Sequence, residues 1–227
     1  MAKRKLERFA EVATFGNVFQ HGYEASQIGH SLKGKWHTEY FQNSNPIVLE
    51  LGCGKGEYTV GMAQKFPDKN FIGIDIKGNR LWKGAKFATE TGMKNVAFVR
   101  SRIEFIESIF AQNEVSEIWI TFPDPQPQES RELKRLSGPD FLLKYKNLLK
   151  YKGLIHLKTD SLALYQYTHA LCKAIGYPVE FATENLYALS PESSDIMLQT
   201  AQGIQTYYEA KFQKQGIDIT YLRFRLE

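Results

Sequence analysis

The stretch "PIVLELGCGKGEYTV", residues 46–60, decides the fold. A near-continuous apolar run of strand formers leads into glycines at 52, 54 and 56, and a helical pattern opens directly behind them. Glycine suits a tight turn where the backbone must pass close to a ligand, and a helix that starts there aims its amide N–H groups at the same place. Strand, glycine turn and helix in that order predict the first unit of a doubly wound α/β sheet.

Working outward, the alternation repeats. Strand-like runs stand at 70–76 ("NFIGIDI"), 95–100 ("NVAFVR"), 117–122 ("EIWITF") and 153–159 ("GLIHLKT"). They are too apolar to leave one face wet, which predicts a mostly parallel sheet covered on both sides. Helical spacing fills the gaps: "NRLWKGAKFATETG" with Leu81, Ala85 and Ala88, then "GPDFLLKYKNLLKYKG" and "SLALYQYTHALCKAIG". Gly92, Gly153 and Gly176 stand where helices end. Near the C-terminus "EFATENLY" and "DITYLRFRL" predict an antiparallel closing pair of strands at one sheet edge, with a helical "QGIQTYYEAKFQKQG" between them. Residues 1–45 are aromatic and basic without periodicity. They read as an N-terminal extension, flexible or RNA-binding, ahead of a single domain over 46–227.

The 227 residues, 43% hydrophobic and 13% aromatic, suffice for one substantial core. A formal charge of +4, from 29 Lys and Arg against 25 Asp and Glu, suits an anionic partner without requiring one. Cys53 and Cys172 show neither a disulfide framework nor zinc spacing, and no metal is expected. The histidines at 21, 30, 37, 156 and 169 have no relay spacing. With no signal-peptide stretch or membrane-length apolar run, a cytoplasmic protein is expected.

Glu50 ends the first strand, and Asp75, 19 residues past Gly56, ends the second, where an acid accepts both hydroxyl protons of a ribose. A dinucleotide and S-adenosylmethionine compete for that geometry. A pyrophosphate would be repelled by Glu50 and Glu57, whereas S-adenosylmethionine brings an ammonium, a sulfonium and no phosphate. The acids favour S-adenosylmethionine.

Taken together, "LELGCGKGEY", "FIGIDIK", "EIWITFPDPQP", "HLKTD" and "TYYE", in this order, resemble the bacterial tRNA (guanine-N7)-methyltransferase family over roughly residues 45–227. The resemblance implies a Rossmann-like class I methyltransferase fold and S-adenosylmethionine as methyl donor. It also implies tRNA as substrate, methylated at guanine N7 of nucleotide 46 in the variable loop. Carried over position by position, Glu50, Gly52, Gly54, Gly56, Asp75, Arg102, Ile103 and Asp124 fall on the cofactor side. Asp124 is the active-site acid, and Gln128, Asp160, Thr206, Tyr207, Tyr208 and Glu209 fall on the substrate side.

Two departures stand out. Where the family has Pro-Trp and then a lysine, this chain reads Pro125-Gln126-Pro127-Gln128, so an aromatic platform and a cation are missing. Where an acid is usual near the adenine, Arg102 stands, which leaves backbone contacts only. Lys3, Arg4, Lys5, Arg8, Arg131, Lys134 and Arg135 are candidates to track phosphates. Lys144, Lys146, Lys150 and Lys152 read as the solvated face of a helix, and one of Tyr207 and Tyr208 as core. Three alternatives stay open: a class I methyltransferase with another acceptor, a catalytically weak cofactor- or RNA-binding module, and a dehydrogenase. Monomer and homodimer are equally compatible with the sequence.

Overall fold

A computed structural model describes residues 2–227, with side chains from Leu6 onward. Its centre is one eight-stranded sheet. The strands are β1 (Val18–Gln20), β2 (Ile47–Leu51), β3 (Asn70–Asp75), β4 (Val96–Arg100), β5 (Val115–Thr121), β6 (Leu149–Thr159), β7 (Val179–Thr183) and β8 (Thr220–Phe224). Their spatial order is β1-β4-β3-β2-β5-β6-β8-β7. All pairings are parallel up to β6, and β8 then runs antiparallel between β6 and β7. The expected doubly wound, mostly parallel sheet with an antiparallel closing pair is the observed one.

Side-chain alternation explains why both faces are covered. Ile47, Leu49 and Leu51 pack with Ile72, Ile118 and Ile155 on one face. Val48 packs with Phe71, Phe98 and Trp119 on the other. After β2 the chain winds outward through β3 and β4, then returns to β5 on β2's other flank. The crevice at a doubly wound sheet's reversal point therefore lies beyond the C-terminal ends of β2 and β5. The glycine turn and the Pro123-Asp124-Pro125 segment both emerge there.

Three local expectations differ. The helix starting at Pro139 ends at Leu148, and Gly153 lies inside β6 instead of ending a helix. Leu149 already pairs with Val115, and the chain kinks at Lys152 with φ +62. A Cβ on Gly153 would sit 2.9 Å from the Leu149 side chain and the Lys150 carbonyl, so glycine answers close approach here. Lys150 and Lys152 thus belong to a strand, while Lys144 pairs with Glu107 at 2.9 Å.

The segment 183–216 holds two helices, Ile196–Gly203 and Tyr207–Lys214, and a short 3₁₀ turn where a longer strand was expected.

Residues 2–45 fold as part of the same body. A helix, Ala2–Val12, packs on the Gly78–Glu90 helix through polar and aromatic pairs: Arg8 lies 4.6 Å over the Trp82 ring, and Glu11 accepts from Trp82 Nε1 at 2.6 Å. β1 adds a parallel edge strand to β4, and Trp36 is fully buried. The Ala2–Val12 helix is amphipathic, with Phe9 half-buried and Val12 buried among charged neighbours, a helical period that sequence reasoning missed.

Candidate active site

Two adjoining cavities open at the crevice. The larger, about 490 Å³, is bounded by Asp75, Ile76, Arg102, Ile103, Asp124 and Leu136 among others. The smaller, about 100 Å³, is bounded by Glu50, Gly54, Thr121, Thr206 and Tyr208 among others. Gly52, Arg80 and Phe122 line both. The larger volume is within the range of small-molecule sites.

The glycine turn is built for close approach. Gly52, Gly54 and Gly56 all adopt φ between +55 and +75. At Gly56 a Cβ would stand 2.6 Å from the Phe98 ring, so both backbone and packing demand glycine. The turn delivers the Gly54 N–H to Asp75 Oδ2 at 2.9 Å, and the Lys77 N–H reaches Oδ1 at 2.7 Å. Each oxygen keeps a lone pair for a hydroxyl in the cleft.

Glu50 is 2% exposed. Its carboxylate accepts the Thr59 N–H at 2.7 Å, the Thr59 hydroxyl, and the Thr121 hydroxyl at 2.7 Å. Burial pushes its pKa up to about 7, against the pull of those hydrogen bonds, and the nearby Asp75 adds to the rise. Carboxylates at both strand ends, with a loop amide already committed to one of them, disfavour a phosphate-bearing ligand. They suit a ribose and a cation.

Asp124 is exposed at the mouth of the larger cavity. Its Oδ1 accepts the Gln126 N–H at 3.2 Å. The prolines on either side are expected to stiffen this segment, and the structure adds a second restraint: Phe122 and Gln126 both hold positive φ, +49 and +44. Such conformations in non-glycine residues cost of order 1–3 kcal/mol each and persist where surrounding contacts over-determine them. Those contacts are the Phe122 N–H to the Lys158 carbonyl, 2.8 Å, and Arg135 Nε to the Gln126 carbonyl, 3.1 Å. Arg135 also lies 4.2 Å over the Tyr167 ring, so it braces the loop.

On the C-terminal side, Thr206 and Glu209 form a reciprocal capping box at the start of the Tyr207–Lys214 helix. Glu209 is fully buried, 2.6 Å from Lys158 Nζ and 2.6 Å from the Tyr187 hydroxyl. Burial pulls the Lys158 pKa below its ordinary value, and Glu209 holds it up. Tyr207 and Tyr208 are both outward, 61% and 45% exposed, so neither is core as expected. Lys55, in the glycine turn, sits 4.3 Å over the Tyr207 ring. The Glu57 carboxylate accepts the Tyr207 N–H at 3.1 Å.

Of the residues singled out in the sequence, the cavities bring together Glu50, Gly52, Gly54, Asp75, Arg102, Ile103, Asp124, Thr206 and Tyr208. Gly56 supports the turn from behind. Gln128, Asp160, Tyr207 and Glu209 line neither cavity. Asp160 is half-buried just past β6, and burial raises its pKa; Gln128 is exposed ahead of a short 3₁₀ helix. Arg102 pairs with Glu104 at 3.0 Å.

Of the residues proposed to track phosphates, Arg8 and Arg135 are engaged on aromatic rings, Arg131 and Lys134 are exposed, and the side chains of Lys3, Arg4 and Lys5 lie outside the described ones. Sequence reasoning missed Arg80, Phe122, Thr59, Thr121 and Lys158. Thr121 and Phe122 stand directly before Pro123, and Lys158 lies inside "HLKTD", so position beside a motif was the available signal. Among the described residues no helix is long and apolar enough to cross a membrane.

A family model described as "Putative methyltransferase" matches residues 44–222. Curated relatives named tRNA (guanine-N(7)-)-methyltransferase include one from Bacteroides fragilis, 50% identical over all of this chain and 87% of its own length. Another, from Christiangramia forsetii, is 51% identical over all of this chain and 99% of its own length.

Among solved structures, an antibiotic-related methyltransferase superposes with TM-score 0.59 at 19% identity, covering 86% of this chain and 94% of that one. The 16S rRNA methyltransferase KamB gives 0.57 at 13%, covering 84% and 90%. At those identities the likeness speaks to the fold alone. The full-length relatives go further: at 50–51% identity over its whole length, this chain belongs to the tRNA (guanine-N7)-methyltransferase family.

Proposed function

We propose that this protein transfers a methyl group from S-adenosylmethionine to N7 of the guanine at nucleotide 46 of the tRNA variable loop. The observation that carries the reading is Asp124: an exposed carboxylate, flanked by two residues of positive φ, at the mouth of the cavity that also holds the strand-end acid Asp75. The substrate class points to the cytoplasm.

S-adenosylmethionine, when bound, supplies an electrophilic methyl group on a positively charged sulfur. Asp75 would hold the ribose hydroxyls, the backbone around Arg102 and Ile103 with Ile76 and Leu136 would border the adenine, and Glu50 would serve the methionine end; all six line the two cavities. Asp124 accepts hydrogen bonds from guanine N1–H and the exocyclic amino group, which leaves N7 unobstructed. The N7 lone pair would then be free to take the methyl carbon as the carbon–sulfur electron pair leaves with sulfur. N7 carries no proton, so none leaves, and rate comes from orientation in a base-flipped complex.

Thr206 and Tyr208 border the pocket that receives the nucleotide. Tyr207 with Lys55 offers, at its rim, the aromatic ring and cation that the segment after Pro125 lacks. Gln128 and Asp160 lie at the periphery and contact the flanking RNA.

Labelled methyl transfer to unmodified tRNA transcripts tests the reading. Label is expected in N7 of the variable-loop guanine and is expected to vanish when that guanine is replaced by adenine. Cofactor binding with no labelled tRNA would overturn it.

A further inference from the structure

The Tyr207–Lys214 helix buries a single residue, and that residue is Glu209. Surface helices ordinarily dock by an apolar stripe, yet Tyr207 and Tyr208 face outward and Phe212 is only half-buried, 6.2 Å from the Phe122 ring. Phe212 packs against the core and Glu57 takes the Tyr207 N–H, but the deepest anchor of the helix is Glu209, met by the ammonium of Lys158, fully buried at the end of β6.

Lys158 Nζ meets Glu209 at 2.6 Å, and it also donates to the carbonyls of Ala201 and, at 3.3 Å, Ile204. One charge thus fixes the end of the Ile196–Gly203 helix, the first turn of the next helix and the linker that carries Thr206. Lys158 also reaches the other side of the pocket through its backbone, where its carbonyl takes the Phe122 N–H at 2.8 Å, two residues before Asp124.

We propose that Lys158 is a positioning residue for the tRNA target: it registers Thr206 and Tyr208 against the Phe122–Asp124 loop and so sets the shape of the nucleotide pocket. A buried ion pair adds little net stability over an apolar pair of similar volume, but it fixes one geometry, because either charge left alone is strongly unfavourable. The proposal rests on the reading that Thr206 and Tyr208 contact the tRNA.

Lys158→Met, the double variant Lys158→Met/Glu209→Gln, and Tyr208→Ala test it through melting temperature, S-adenosylmethionine affinity, and kcat and KM for tRNA. Lys158→Met is expected to raise the tRNA KM about tenfold or more, with cofactor affinity held within about twofold. The double variant removes the unpaired charge, so its melting temperature is expected to return toward wild type while its KM stays high. It carries the test alone if Lys158→Met does not fold. A wild-type KM in either folded variant, a KM that tracks melting temperature, or a parallel loss of cofactor affinity would overturn the proposal. An unchanged tRNA KM in Tyr208→Ala would instead count against the underlying reading.

Discussion

On one side of the crevice Asp75 is held by the backbone N–H groups of Gly54 and Lys77. On the other, Thr206 and Tyr208 open a helix whose sole buried residue, Glu209, is held by the side chain of Lys158. The first wall is local, made by a strand, a turn and the next strand, and its restraints are amides and glycines that tolerate little change. The second joins distant parts of the chain through one buried pair of charges. The first wall is therefore restrained locally, whereas the second depends on the Lys158–Glu209 pair and meets the glycine turn only through Tyr207, whose N–H reaches Glu57 and whose ring lies under Lys55.

Asp124 lines the larger cavity, two residues past Phe122, which lines both, and its removal is the most severe way to break the comparison. Asp124→Ala is expected to lower methyl transfer by about 10²- to 10³-fold, roughly 3–4 kcal/mol of barrier. An exposed side chain leaves stability within about 0.5 kcal/mol, so the unfolding midpoint should not move. Isothermal titration with cofactor sharpens the assignment: retained affinity places the acid on the substrate side, and lost affinity places it on the cofactor side.

Gly56→Ala probes the rigidity of the first wall. Positive φ and the Phe98 ring at 2.6 Å from a new Cβ both oppose it, and a loss of about 2–3 kcal/mol is expected in urea unfolding. Gly52→Ala, with open space around the same Cβ position, is expected to cost about 1–2 kcal/mol, from backbone conformation alone.

Glu50 makes the first wall sensitive to pH. Its pKa is raised to about 7, so the folded state holds a proton that the unfolded chain has already released. Its contribution to stability is complete below about pH 4.5 and is lost as pH rises toward 7, by about 3 kcal/mol in all. A bound cation favours the ionised form, so affinity for S-adenosylmethionine is expected to increase with pH up to about 7 and level off above it. Titration calorimetry in buffers of different ionisation heat should show proton release below pH 7, and Glu50→Gln should abolish it. Arg102→Ala is the smallest change: its pair with Glu104 is solvent-exposed and screened, and cofactor affinity should move less than about threefold if only backbone at that position contacts the ligand.

The same contrast explains what could be read from the residues. Glu50, Gly52, Gly54 and Asp75 lie close together in sequence around a strand-to-helix turn, and the fold brings them to the two adjoining cavities. Lys158 and Glu209 stand inside the HLKTD and TYYE stretches, but their pairing carries no local signal, since each looks like a surface charge until β6 and the C-terminal helix are brought together. β1 has only three residues and acquires meaning by pairing with Phe98–Arg100. The helix expected to run to Gly153 stops at Leu148 because Leu149 finds a partner in Val115, a tertiary contact that overrides helical spacing.

The central claim, that Asp124 orients guanine and takes no proton, is tested most directly by the pH dependence of single-turnover methyl transfer at saturating cofactor and tRNA, for wild type and Asp124→Asn. The account predicts a flat wild-type profile between about pH 6 and 8, with the variant lowered by a constant factor across that range. A wild-type rate that climbs about tenfold per pH unit, with the slope lost in Asp124→Asn, would contradict it and make Asp124 a general base.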